Sequence, residues 1–261
     1  MNAHASVLAT LVSILSCTPS FGQEPGDEPF GAEDYGSADN AVLIPEPLVF
    51  DLVRGLGAER GELEINVLVA QPLTLSGADE NPTEWAPEIE VAVFDGLALE
   101  LEFPFEDGEL VAEKLAAQGT FGVAFDNHFI HGTQFIAEHL RNESAWELTF
   151  LYIPGIRFDK TWSALMMIGF RTLVGNDDDH AGESETEALF NFSLFADVSH
   201  RMTLGVETNY AAALSGEASL LAMPQLHFEI TDHFIVQAGV GVRFTDEESL
   251  PEAATRIIYS F

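Results

Sequence analysis

From Gly61 to the C-terminus, apolar and polar residues alternate with a period of two. Residues 62–67, 88–93 and 97–103 show this pattern most clearly. Because successive side chains of a β-strand point to opposite faces, each segment has one apolar and one polar face. We count about twelve such segments of about 9–11 residues, the length that a tilted strand needs to cross a bilayer.

The connections between these segments also follow a pattern. Asp95 and Gly96 form a strong hairpin signal, and short turns are also predicted at residues 199–201 and 231–233. Longer polar connections lie at residues 75–84, 175–186 and 246–252. Short turns at one rim and longer loops at the other are typical of outer-membrane barrels. The chain is therefore predicted to be all-β, a closed antiparallel transmembrane β-barrel of about 12 strands in an up-and-down meander.

The last predicted strand ends on an aromatic residue. Ile257, Tyr259 and Phe261 share its apolar face, and Arg256 and Ser260 share the other. Tyr259 followed by a terminal Phe261 resembles the signal that ends bacterial outer-membrane barrels. We therefore predict that these two aromatic residues are a membrane-assembly signal. Taken alone, the strand also fits the end of a soluble β-domain.

The region before the alternating pattern is expected to have other roles. Residues 7–15 are apolar, uncharged and too short to span a bilayer, which predicts a signal peptide over residues 1–22. Cys17, the single cysteine, is either removed with that peptide or lipidated. Residues 23–60 are predicted to be an acidic disordered segment, and residues 61–261 the barrel. Within the acidic segment, residues 48–54 have the spacing of a short plug helix; a short strand or a linker is the alternative.

The chain is strongly acidic, with 43 Asp and Glu residues against 10 Lys and Arg residues and a net charge of −33. We expect no nucleic-acid partner, because such binding needs cationic residues that neutralise phosphates. The acidic residues fit either a cation-favouring water path or a saline habitat. The expected partners are outer-membrane lipid and lipopolysaccharide, the barrel assembly machinery, and a small solute.

If the apolar strand faces contact lipid, the opposite faces line the lumen. The predicted lumen-lining residues are Glu62, Glu64, Glu88, Glu90, Glu100, Glu102, Glu147, Glu207, Glu229, Arg171, Arg243 and Arg256. Because the last strand of a closed barrel pairs with the first, we expect Arg256 near Glu62 or Glu64. The set predicts either a charged constriction that selects solutes by sign or a packed, salt-bridged interior.

Several segments resemble one family. Residues 85–90, 95–104, 173–177 and 237–244 are similar to the MetA-pathway of phenol degradation family of outer-membrane proteins. The resemblance extends over residues 61–261 and implies an outer-membrane barrel with a role in transport. This chain departs from the family pattern by its acid content and by Leu173 and Val174, where a Pro is expected before Gly175.

The sequence therefore predicts a bacterial outer-membrane barrel that is a narrow channel or facilitator for small solutes with an acidic lumen. A non-conducting structural barrel is the second hypothesis. A lipid hydrolase at the rim, using His139 and Ser144, is the third, but no acyl-hydrolase motif surrounds these residues and we expect no enzymatic activity. We expect no cofactor and no metal, since the acidic run at residues 176–183 does not have EF-hand spacing.

Deletion of Phe261 should lower the outer-membrane level of the protein several-fold, because the final strand must pair to bury the sheet edge. Fractionation and heat-modifiable electrophoretic mobility measure this level. Phe261→Tyr, which keeps an aromatic ring, is the control and should assemble normally. A normal level of the deletion variant would show that Phe261 is not part of the signal.

Overall fold

The computed structural model describes residues 42–49, 52–73, 82–142, 145–175, 186–246 and 248–261. The predicted signal peptide with Cys17, Ser144 and the acidic run at residues 176–183 lie outside these residues. No helix in the described part of the chain is long and apolar enough to cross a membrane.

The described residues form one antiparallel sheet. Its strands are β1 (Leu63–Pro72), β2 (Glu84–Phe94), β3 (Leu97–Glu102), β4 (Phe105–Glu106), β5 (Glu109–Leu110), β6 (Ala112–Ala124), β7 (Phe129–Leu140), β8 (Ala145–Arg157), β9 (Trp162–Gly175), β10 (Thr186–Ser199), β11 (Met202–Ala213), β12 (Ala218–Thr231), β13 (Phe234–Thr245) and β14 (Ser249–Ser260).

The short strands β4 and β5 continue β3 and β6, so the barrel itself has 12 strands. β4 pairs with β5 as β3 pairs with β6. The interruption between β3 and β4 falls at Phe103 and Pro104, because proline has no N–H group to donate to the strand ladder. The interruption between β5 and β6 falls at Val111, whose N–H group donates to the Pro104 carbonyl oxygen at 3.0 Å.

Pairing of the first strand with the last closes the barrel. β1 pairs with β2 on one side and with β14 on the other, and the remaining long strands pair with their neighbours in the sequence. Closure leaves no open sheet edge, which is what a sheet in lipid requires. The prediction of a closed antiparallel meander of about 12 strands is thus confirmed.

The register of this closure corrects one expectation. Glu64 lies opposite Ser260, and the Ser260 hydroxyl donates to Glu64 Oε2 at 2.9 Å. Arg256 therefore lies opposite Leu68, four positions further along β1, and not beside Glu62 or Glu64. Sequence alternation predicts the face on which Arg256 lies, but only the register fixes its height in the barrel.

The outer surface of the barrel is apolar. In β3, Leu99 is 42% exposed while its neighbour Ala98 is 2% exposed, and the same alternation recurs around the sheet. Large side chains such as Phe150, Phe170 and Leu194 face outward. An apolar outer band on a closed barrel is typical of a transmembrane barrel of the bacterial outer membrane.

The two rims differ in their connections. Short turns at residues 95–96, 125–128, 158–161, 200–201 and 232–233 lie at the rim that also contains the C-terminus. The predicted longer connections between β1 and β2 and between β9 and β10 lie at the opposite rim, together with shorter turns at residues 107–108 and 214–217. The connection predicted at residues 246–252 lies at the same rim but is short, because β14 already begins at Ser249. We call the short-turn rim periplasmic, as outer-membrane barrels have their short turns on that side.

Leu194→Arg should lower the free energy of unfolding by about 2–4 kcal/mol, because Leu194 lies at the middle of β10 on the lipid face. Urea titration of the protein in lipid vesicles measures this change. The matched control is Leu214→Arg in a rim turn, where the side chain is 82% exposed and the change should be small. Equal effects at the two positions would contradict the membrane register.

Candidate functional site

The sequence-predicted lumen residues lie on buried or half-buried positions of the inner surface. The fully buried ones are Glu64, Glu88, Glu90, Glu100, Glu102, Glu207, Arg171 and Arg256. The half-buried ones are Glu62, Glu147, Glu229 and Arg243. Their alternate spacing on antiparallel strands explains why the sequence pattern selects them together.

Five of the glutamates form one acidic wall on neighbouring strands, which we define as Glu64 of β1, Glu88 and Glu90 of β2, and Glu100 and Glu102 of β3. In the register, Glu64 lies opposite Glu90, Glu90 opposite Glu100, and Glu88 opposite Glu102. Like charges directly opposite each other destabilise a sheet. The wall therefore requires cations from elsewhere in the molecule.

An N-terminal segment fills the lumen beside this wall. We call residues 42–49 and 52–58 the plug segment. Its side chains Leu48, Val49, Leu52 and Val53 are each at most 3% exposed, and Arg54 is 1% exposed. Ala58 and Arg60 then contact the turn at Asp95 and Gly96, so the segment leaves the lumen at the periplasmic rim.

The backbone of the plug segment differs from the sequence expectation. For residues 48–54 the sequence left a short plug helix, a short strand and a linker open, and their described members adopt bends and irregular backbone. The ordered plug also lies within residues 23–60, which were expected to be disordered. Tertiary contacts with the barrel wall replace the helical hydrogen bonds, and these contacts are not visible in a local sequence window.

Apolar contacts hold the plug segment at mid-barrel. Leu52 and Val53 pack in a cluster with wall residues that include Ile136, Leu151 and Phe195. On the other side, Leu48 and Val49 pack in a second cluster with wall residues Leu68, Ala70, Leu221, Met223 and Ala254. The interior thus contains a hydrophobic core that spans plug and wall.

Glycines in the wall make room for the plug. A Cβ atom at Gly239 would lie 2.8 Å from Leu48 Cδ2, and one at Gly155 would overlap Ile44 Cδ1. These distances are shorter than van der Waals contact, so a larger residue at either position would require the Leu48 or Ile44 side chain to shift.

Polar contacts fix the plug backbone. Glu207 Oε2 accepts hydrogen bonds from the N–H groups of Leu48 at 2.9 Å and Val49 at 3.0 Å. Arg256 Nη2 donates to the Leu48 carbonyl oxygen at 2.7 Å, and Arg157 Nε donates to the Leu43 carbonyl oxygen at 2.6 Å. Irregular backbone inside a barrel needs such partners, because its N–H and C=O groups lack those of a helix or sheet.

Arg54 of the plug supplies a cation to the acidic wall. Its Nη2 lies 2.9 Å from Glu62 Oε2, and its Nη1 lies 3.6 Å from Glu64 Oε2 and 3.9 Å from Glu90 Oε2. The plug therefore both fills the lumen and neutralises part of the wall.

Glu46 is a buried acidic residue of the plug segment. Burial holds the pKa of the Glu46 carboxyl well above its ordinary value, and repulsion from Glu64 raises it further, against the attraction of Arg54 and Arg256.

Other cations pair with acidic residues around the inner surface. Lys114 of β6 contacts Glu102 Oε2 and lies 3.7 Å from Glu100 Oε1. Arg171 pairs with Glu187 at 2.5 Å and with Glu147 at 3.5 Å, and Arg243 pairs with Glu252 at 2.9 Å. The interior is a mixture of ion pairs and apolar packing.

Sequence reasoning missed Lys114 and Arg54. Alternation in β6 would have found Lys114, because it shares its face with Ala112, Ala116 and Gln118, all buried. Arg54 lies in the possible plug at residues 48–54, before the alternating region, but no sequence signal pairs it with the acidic wall.

The histidines near the possible hydrolase site, His139 and its β7 neighbour His131, pair with an acid and a tyrosine and not with a serine in the described residues. His139 Nδ1 lies 3.1 Å from Glu113 Oε2, and His131 Nδ1 lies 3.1 Å from the Tyr152 hydroxyl. Ser144, the nucleophile of the hydrolase hypothesis, is outside the described residues, so the geometry adds nothing in favour of that hypothesis.

The closed sheet, its apolar outer band and its inward-facing charged residues together define an outer-membrane β-barrel of porin-like architecture. The chain belongs to the HAEPLYID-like family, whose model matches residues 40–260.

Solved structures of similar fold are outer-membrane barrels. An outer membrane channel from Pseudomonas putida F1 has a TM-score of 0.60 at 12% identity, covering 79% of this chain and 97% of that one. The NanC porin has a TM-score of 0.57 at 7% identity, covering 76% and 98%. The KdgM porin has a TM-score of 0.55 at 12% identity, covering 76% and 99%. Among curated proteins, no sequence matches this chain.

These comparisons support one part of the sequence resemblance. They agree that the chain belongs to a family of outer-membrane barrels, but the family that matches is not the MetA-pathway family, whose assignment is not confirmed.

Arg54→Met should lower the free energy of unfolding by about 3–5 kcal/mol, because it leaves buried carboxylates without their cation. Thermal or urea unfolding in detergent micelles measures the change. The control is Arg60→Met, six residues further on, where the side chain is exposed and the change should be small. Adding Glu64→Gln to Arg54→Met should restore part of the loss, and a loss that stays the same would contradict the pairing.

Proposed function

We propose that this protein is a narrow channel for small solutes with an acidic, cation-favouring lumen, and that the plug segment closes it in this conformation. The observation that carries the proposal is the acidic wall, which concentrates buried carboxylates on β1, β2 and β3 next to a removable segment. A lumen surface of one charge sign selects permeating solutes by charge.

The plug belongs to the chain before β1 and contributes no strand to the barrel. Every contact that holds it comes from side-chain packing or from single hydrogen bonds and ion pairs with the wall. Its release would therefore leave the strand ladder intact. Release would also remove Arg54 from the wall and expose the glutamates to the lumen.

The filled interior favours a second candidate. With Leu48, Val49, Leu52 and Val53 packed against the wall, the barrel could be a non-conducting structural barrel whose core is permanently closed. The porin and channel neighbours support conduction at the level of fold only. The two candidates differ in one measurable respect, which is whether loosening the plug produces conductance.

The test compares planar-bilayer conductance of the wild-type protein with that of the double variant Leu48→Ser, Leu52→Ser. Truncating a buried leucine costs about 2–5 kcal/mol, so the plug of the variant should be released. We expect a several-fold higher conductance and, under a salt gradient, a reversal potential that shows cation preference. Leu214→Ser, at an exposed rim position, should behave like the wild type.

A second set of variants tests selectivity. Changing Glu88, Glu90, Glu100 and Glu102 to Gln in the loosened variant should weaken cation preference, while Glu109→Gln at the exposed rim should not. A folded, loosened barrel without conductance would support the structural barrel instead. Conductance with anion preference would show that the acidic wall does not line the path.

A further inference from the structure

One carboxylate of the acidic wall, that of Glu88, is buried without a direct partner in the described part of the chain. Glu88 is 4% exposed, and neither of its carboxylate oxygens has a hydrogen-bond or ion-pair partner among the described residues. Arg256 attracts it only from beyond ion-pair distance, and Arg256 itself donates to the carbonyl oxygens of Pro47 and Leu48. A buried ionised carboxylate without a partner is strongly unfavourable.

The Glu88 carboxylate points at two others. Glu88 lies opposite Glu102 across the β2–β3 ladder, and Glu100 follows on the same face of β3. One carboxylate oxygen from each of Glu88, Glu100 and Glu102 lies within 4.8 Å of the others. Oxygens bound to one calcium ion at 2.3–2.6 Å are at most about 5 Å apart, so the spacing suits a shared cation.

We propose that Glu88, Glu100 and Glu102 bind a divalent cation of the oxygen-seeking class, with Ca²⁺ as the best fit, in the wall of the barrel. This site does not depend on whether the barrel conducts. Three carboxylates converge there, and Ca²⁺ accepts carboxylate oxygens in flexible geometry, whereas Mg²⁺ requires a near-ideal octahedron and retains its waters.

The charge around Glu88, Glu100 and Glu102 suits the binding of a divalent cation. Lys114 contacts Glu102 and lies 3.7 Å from Glu100, so one ammonium faces three carboxylates. Arg54 reaches the wall at Glu64 and Glu90, on the periplasmic side of Glu88. Arg256 also attracts Glu88 and Glu102, but it donates to the backbone carbonyl oxygens of the plug. A divalent cation would neutralise the negative charge that the three carboxylates retain.

A buried amide side chain, Asn66, lies on the strand next to Glu88. Asn66 lies opposite Glu88 in the β1–β2 ladder and is 1% exposed. Its amide nitrogen donates to Glu90 Oε1, while its amide oxygen has no hydrogen-bond partner among the described residues. Carboxylate and amide oxygens are the ligands that Ca²⁺ takes in proteins.

The test is calorimetric titration of CaCl₂ into the purified full chain in detergent micelles after removal of metal with EDTA. We expect one saturable site in the wild type and a Kd roughly tenfold or more higher in Glu88→Gln, because the site loses a charged ligand. Glu88→Gln keeps the side-chain shape and removes a buried charge, so it should fold normally, as heat-modifiable mobility will show.

Two further variants sharpen the test. Glu109→Gln, an exposed acid at the rim, controls for weak binding at the surface and should leave the Kd unchanged. Lys114→Met removes the ammonium that competes for Glu100 and Glu102 and should lower the Kd for Ca²⁺. Absence of a saturable site in the wild type, an unchanged Kd in Glu88→Gln, or weaker binding in Lys114→Met would each overturn the proposal.

Discussion

Pairing of β1 with β14 is the constraint on which the rest of this structure depends. In lipid, an unpaired strand edge leaves N–H and C=O groups without partners, so the sheet must close. Closure fixes one register, with Glu64 opposite Ser260 and Arg256 opposite Leu68. That register brings Arg256 to the height of Leu48, where it binds the plug backbone. Closure of the barrel thereby also determines how its interior is filled.

A closed barrel with lipid outside must turn its polar strand faces inward. Here the inward faces of β1, β2 and β3 concentrate glutamate side chains. The acidic wall on β1, β2 and β3 sets carboxylates directly opposite each other. Its cations come from separate parts of the chain: Arg54 from the plug and Lys114 from β6. The wall therefore couples electrostatics to the position of the plug, because moving the plug withdraws Arg54.

The plug segment fills the lumen with buried apolar side chains, and a porin-like fold does not by itself specify such a filling. Leucines and valines inside an otherwise charged lumen form two small cores with the wall, and glycines in the wall are needed to admit them. The segment precedes the first strand and contributes no strand to the sheet.

The sequence by itself determined the barrel, its approximate strand number and the face of each predicted lumen residue, because alternation on a strand is a local property. It also determined the rim at which the connections after β1 and β9 lie, but not the early start of β14 at Ser249. It did not determine the height of Arg256, since register depends on closure of the whole sheet. It offered residues 48–54 as a plug helix, a short strand or a linker, and it did not determine their irregular backbone or the contacts of Leu48 and Arg54. Only the tertiary structure decided those points, because irregular backbone is stabilised by partners distant in sequence, such as Glu207 and Arg256.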